Sequence, residues 1–248
     1  MPPTPAEEKG KNLLYFLSPA IAALVFFLYA LRPGYIFFWY DTSLIHLPLK
    51  QFFHNSIASG DFPTWARHFL FGFPILGHGD AAYLYPLSAV LFSLFEPTRI
   101  YNVFIVSHYL LAGLFCYCFL RALAVRRESA AFGAIIYALN GFSLGHLHHA
   151  TILCGYAYLP LLLWAVEIAA RGNPFRGALI WALGLWLVTT ASQPQMLLYC
   201  VCVSAAFWLW RALSQEKSNR LLPTRILAML VGTAAGAMLA ALHIIPFL

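Results

Sequence analysis

The sequence predicts an all-α polytopic membrane protein, with about seven transmembrane helices and one re-entrant or interfacial helix. Three observations predict it. The 248 residues are 61% hydrophobic and only 10% charged, with a mean hydropathy of +0.74; no soluble domain of this length buries so much apolar surface. The apolar residues gather in runs of about 20, the length that crosses a bilayer at about 1.5 Å rise per residue. The cationic residues also divide unevenly between the connections on the two sides.

Residues 1–12 read as a cytoplasmic tail and 13–32 as the first span. No convincing cleavage site follows that span, so it reads as an uncleaved signal-anchor. An aromatic edge, Tyr35-Ile36-Phe37-Phe38-Trp39-Tyr40, leads into the 33–98 loop, the one long stretch not built for lipid. Pro63-Thr64-Trp65 and Gly72-Phe73-Pro74 are turn punctuation with aromatic anchors, which predicts short helices on the membrane surface. Tyr85 to Phe95 is too short to cross and reads as the re-entrant or interfacial piece. Six further spans are predicted near 99–120, 129–145, 151–170, 177–192, 195–212 and 225–247. The chain stops at Leu248 with no polar tail, which predicts the amino-terminal portion of a longer protein.

With the amino terminus inside, eleven of the 15 Lys and Arg residues fall on the cytoplasmic side, Lys217 and Arg220 among them; only Arg32, Lys50, Arg67 and Arg99 lie outside. A full span at 85–95 would export the Arg121–Arg127 cluster, so the charge rule favours seven spans. The same topology places all nine histidines on the extracytoplasmic side, together with Asp41, Asp61, Asp80 and Glu96. Groups that titrate, bind phosphate or coordinate cations thus collect on one face. Glu167, near an inner helix end, is expected to pair with Arg171 at i,i+4 spacing. Gly232-x-x-x-Gly236 and Gly141-x-x-x-Gly145 predict close helix packing. The five cysteines read as buried thiols.

Asp41 is the first candidate for chemistry, either as a general base or cation ligand facing a cavity, or as a solvated residue ending the span. Gly77-His78-Gly79-Asp80 lets backbone, imidazole and carboxylate approach a ligand, although an ordinary Gly-rich turn fits as well. His146-x-His148-His149 has imidazoles to bind metal or phosphate, but no carboxylate beside them in the sequence. Gln193-Pro194-Gln195 offers two amides either to sugar hydroxyls or to a tight hairpin.

The ordered series resembles a known family. An acid just beyond the first span is followed by GDFPTW and FGFPILGHGDAAYLYPL, then Val106-Ser107-His108, Leu139-Asn140-Gly141-Phe142 leading to His146, Tyr158-Leu159-Pro160-Leu161 and Ala191-Ser192-Gln193-Pro194-Gln195. This order, over roughly residues 13–248, is similar to the amino-terminal part of the YfhO-like bacterial membrane proteins, in the GT-C superfamily of polyprenyl-phosphate-dependent glycosyltransferases. The resemblance implies a large first extracytoplasmic loop with its acid, matched by Asp41, as the catalytic or metal-coordinating residue. It implies a polyprenyl-phosphate sugar donor, a cell-envelope glycan or polymer acceptor, and a bacterial cytoplasmic membrane with the active face outside. On this reading Lys50, Arg67, Arg99, His78, His146 and Gln193 contact substrate, the cations meeting the phosphate, and Mg2+ or Mn2+ is held by Asp41 and Asp80. A transporter or flippase of a lipid-linked or polar substrate is the alternative, and a non-catalytic assembly subunit a third. The chain shows neither internal repeats nor midplane charges, which favours an interfacial enzyme over a transporter.

Overall fold

A computed structural model of the chain describes residues 5–67, 72–214 and 222–247, with side chains from 10 to 246 within those ranges. His68, Lys217, Arg220 and Leu248 lie outside the described residues. The fold is almost entirely helical. Among the described residues, five helices are long and apolar enough to cross a membrane: α4 (Pro97–Ala122), α7 (Ala150–Ala170), α8 (Pro174–Ala191), α9 (Pro194–Ser214) and α10 (Leu222–Leu239). These are the features of a multi-pass protein in a lipid bilayer.

Five is fewer than the seven spans expected, for two local reasons. Helix α1 (Pro5–Phe26) ends earlier than residue 32, and its apolar part, Gly10–Phe26, is shorter than a full crossing. Beyond Phe26 the chain tightens into turns, with Leu28 N bonded to Val25 O and Arg32 N to Tyr29 O. The run expected at 129–145 is divided into α5 (Arg127–Ala138) and α6 (Gly141–Gly145). Asn140 causes the break: its side chain accepts from Ser143 N, capping a new helix rather than continuing the old one. Beyond α10, the chain folds into a four-residue α11 (Ala241–Ile244) and a single 3-10 turn, so the last expected span is also interrupted.

The loop is not wholly helical. After a π-turn at Thr42–His46 come α2 (Leu47–Ala58), a pair of two-residue strands, β1 (Trp65–Ala66) and β2 (Phe73–Pro74), and then α3 (Pro86–Leu94). The strands pair antiparallel, Trp65 opposite Pro74. Gly72 holds a φ of +114° beside the Trp65 indole, where a Cβ would sit 2.8 Å from Nε1.

Small residues set the helix packing. Gly232 and Gly236 of α10 lie against the carbonyls of Ala178 and Ala182 in α8, with 2.7 and 2.9 Å between those oxygens and an added Cβ. The second small-residue pair does not act this way: Gly141 and Gly145 face open space. The bundle's inner aromatics, Tyr101, Phe104 and Tyr109, continue without interruption into the loop's Phe53, Ile75, Tyr83, Tyr85 and Phe92, all buried. Hydroxyls fasten this shared core. Tyr85 bonds His108 Nε2 at 2.9 Å and Tyr158 at 2.6 Å, and Tyr83 donates to Leu49 O at 2.9 Å. The loop is therefore part of the packed body. Of the cysteines, Cys116, Cys154 and Cys200 are buried, whereas Cys202 is exposed and Cys118 partly so.

At the opposite end of the bundle Glu167 is fully buried and takes Arg171 Nε at 2.7 Å, as its spacing predicts. Arg211 from α9 joins it at 2.8 Å.

Candidate functional site

Four separate pieces of chain meet at the loop end of the bundle: the start of the π-turn, the Gly77–Asp80 turn, the entry to α7 and the α8–α9 turn. Two of the three non-glycine residues with positive φ among the described residues stand beside the two candidate acids. Tyr40 (φ 48°) precedes Asp41, and Ala82 (φ 47°) follows Asp80 by two. Such backbone costs about 1–3 kcal/mol and persists only where surrounding packing holds it.

Asp41 faces the entry to α7. Its Oδ2 lies 3.5 Å from His149 Nε2, with roughly a quarter of each side chain exposed (27% and 29%). Thr42 Oγ1 donates to His148 O at 3.4 Å, and the Tyr40 ring stands edge-on to His148. The turn from His146 to His149, closed by His149 N bonding His146 O, gathers the imidazoles at a tilt: His148 and His149 are 3.9 Å apart by ring centres, and His146 and His149 are 5.3 Å apart. The carboxylate missing from the histidine cluster's own sequence comes from Asp41. His149, not His146, is the imidazole it meets. Burial pushes His149 below its ordinary pKa, His148 adds to that, and Asp41 opposes it.

Asp80 is more enclosed. Its Oδ1 accepts from Gln193 Nε2 at 2.9 Å and Thr151 Oγ1 at 3.2 Å, while His78 Nε2 is 4.0 Å from Oδ2. Gly79 makes this possible, because a Cβ there would lie 3.0 Å from Ser192 O and 3.1 Å from Gln193 Cα. Gln193 and Asp80, expected on separate grounds, are thus direct partners. Next to His78 opens an apolar cavity of about 310 Å3, bounded by Leu44, Ile45, Pro48, Leu49, Phe73 and Ile75.

Beneath the two acids lie His46 and Lys50, each 2% exposed. His46 is within electrostatic reach of Asp41, Asp80, Lys50 and His149; burial holds its pKa down at about 4, against the pull of the carboxylates. Among the described residues its buried Nδ1 has no hydrogen-bond partner. Sequence reading passed over this residue, because one histidine in a loop rich in them carries no signal of depth. Lys50 donates to Ala81 O and, at 2.9 Å, to Ser88 Oγ, and its Nζ lies 5.4 Å from the Phe92 ring centre. Burial lowers its pKa to about 7, with Cys154 and Asp80 opposing. Charged or neutral, the amine has at least two hydrogens, enough for both acceptors. Lys50 is therefore placed inside the packing under the site, not on its open face.

The remaining expected cations are elsewhere. Arg67 borders a groove with Asp61, Phe62 and Trp65, and Arg99 borders a cavity at the start of α4. Asp41 borders neither of these two cavities. Among the described residues, no three His, Cys, Asp or Glu side chains converge as a metal-ligand set. Asp80 Oδ1 is already taken by two donors, so the expected pairing of Asp41 with Asp80 does not fit a preformed metal centre. Asp41 alone would supply one carboxylate, the sparse arrangement Mg2+ uses where a substrate phosphate completes its shell.

No protein-family model, curated protein or solved structure matches this chain.

Proposed function

We propose that this chain is a membrane glycosyltransferase of GT-C type, moving a sugar from a polyprenyl-phosphate donor to an acceptor outside a bacterial cytoplasmic membrane. The observation that carries the reading is the partly exposed Asp41 carboxylate held beside His149 where the loop meets the bundle. A lipid-phosphate sugar presents its anomeric carbon at that depth. In a single displacement the acceptor oxygen forms a bond to the anomeric carbon, the bond from that carbon to the donor's phosphate oxygen breaks, and Asp41 takes the acceptor proton. The bonding electrons leave with the lipid phosphate. The imidazole of His149, 3.5 Å from Asp41, with His148 and His146 beside it, supplies a hydrogen-bond donor for that leaving charge. The apolar cavity beside His78 suits the sugar's apolar face or the first isoprene unit. Binding of Mg2+ or Mn2+ at Asp41 together with the donor phosphate belongs to the same proposal, and the proton transfer does not run through it.

The topology proposed with it has seven passes, α1 and the α5–α6 pair being short ones, the amino terminus inside and the Asp41 end outside. It is supported by the grouping of Asp41, Asp80, the histidines and Gln193 at one end and of Glu167, Arg171 and Arg211 at the other.

The test is sugar transfer in proteoliposomes from radiolabelled polyprenyl-phosphate sugars to acceptor glycans. Transfer that depends on the lipid phosphate supports the reading. Folded protein that turns over no donor but moves the labelled lipid between leaflets replaces it with a flippase.

A further inference from the structure

A cavity of about 550 Å3 lies apart from the Asp41 cluster, between the 30–36 turn and the first turns of α4. Its volume is in the range of small-molecule sites. Two arginines border it from different elements, Arg32 on the turn and Arg99 on α4, together with Thr98. Among the described residues neither arginine has a carboxylate partner. The nearest acid in the sequence, Glu96, is not part of the wall and is held by the Thr98 hydroxyl.

The wall is built rather than incidental. Asn102, 5% exposed, donates to Ala30 O at 2.6 Å and Tyr35 O at 3.2 Å, and accepts from Phe37 N at 2.8 Å. One amide thus clamps both limbs of the turn to α4. Gly34, at φ +87°, closes the turn, and Arg32 is steadied over the Tyr29 ring at 4.8 Å. The positive end of the 26-residue α4 adds to the same field. Exposed Tyr29, Tyr35, Phe38 and Trp39 surround the region, the residue types that mark headgroup depth.

We infer that this cavity binds a phosphate group, carried by a lipid headgroup or by a soluble phosphate ester, on the paired guanidiniums of Arg32 and Arg99. Planar guanidiniums meet phosphate bidentately, and two of them across a cavity select it over a neutral headgroup. The site does not depend on the glycosyltransferase reading, since none of Asp41, Asp80, His149 or Gln193 borders it.

Native mass spectrometry of the whole chain released from detergent tests this, with phosphatidylglycerol and diacylglycerol of the same acyl chains as probes. The wild type is expected to retain phosphatidylglycerol and not diacylglycerol. The Arg32→Gln/Arg99→Gln double variant should lose about tenfold or more of that retention, and Arg67→Gln, in its separate groove, should not. Displacement of the lipid by millimolar inorganic phosphate would assign the site to soluble phosphates, and resistance to it would assign a lipid headgroup. Equal retention by wild type and a double variant with a wild-type melting transition overturns the inference. If the double variant does not melt like wild type, Arg32→Gln and Arg99→Gln are read singly, and unchanged retention in both overturns it equally.

Discussion

Asp80 and Gln193 are 113 positions apart in the chain, and 2.9 Å separates Oδ1 of one from Nε2 of the other. This hydrogen bond ties the Gly77–Asp80 turn to the α8–α9 turn. Gln193→Leu removes a donor from a largely enclosed carboxylate. The expected cost is about 1.5–3 kcal/mol, the usual range for a hydrogen bond to a charged group. A lowered melting midpoint of the purified chain checks it.

Gly79 has an independent consequence. A methyl group there meets Ser192 O at 3.0 Å and Gln193 Cα at 3.1 Å, both backbone, so the turn itself must shift. Gly79→Ala is expected to cost about 1–3 kcal/mol through overpacking. Gly145→Ala, whose added methyl meets nothing within 4 Å, serves as its comparison in the same thermal melt and should cost less.

Acid sensitivity should follow His46. Burial lowers its folded-state pKa to about 4 from an ordinary 6.5, despite the opposing pull of Asp80 and Asp41, while Lys50 and His149 add to the lowering. Between these values the unfolded chain binds more protons, so stability is full above about 6.5 and is lost as pH falls towards 4. His46→Leu should flatten the melting midpoint between pH 6.5 and 4. An unchanged slope would place the acid sensitivity in other groups.

At the far end of the bundle, Glu167 is fully buried between Arg171 and Arg211, whose side chains are 47% and 20% exposed. Glu167→Leu leaves two cations around an apolar side chain. Broken buried pairs cost about 3–5 kcal/mol, but solvent screens these exposed arginines, so about 2 kcal/mol is expected. Chemical denaturation of wild type and variant in the same detergent measures the difference.

Local features were readable in the sequence, and meetings between distant segments were not. The bounds of α7 follow from its apolar run, and the Glu167–Arg171 pair follows from helical spacing. Arg211 joins them from another helix, which no spacing foretells. Asn140 carried a visible capping signal inside an apolar run, but hydropathy averaged across it and predicted a continuous span. At the site, Asp41, Asp80 and Gln193 were each recognisable as polar residues at membrane edges. Which histidine meets Asp41 depends on the 146–149 turn, and whether Lys50 faces solvent depends on how α2 packs under α3, so both needed the fold.

The central claim rests on the Asp41 carboxylate, and the most direct measurement is single-turnover sugar transfer by Asp41→Asn in proteoliposomes, beside wild type and with donor binding measured in parallel. The asparagine keeps the size of the side chain and removes its basicity. The account predicts transfer slower by about 10²–10⁴-fold with folding and donor binding retained. Transfer at the wild-type rate would contradict it.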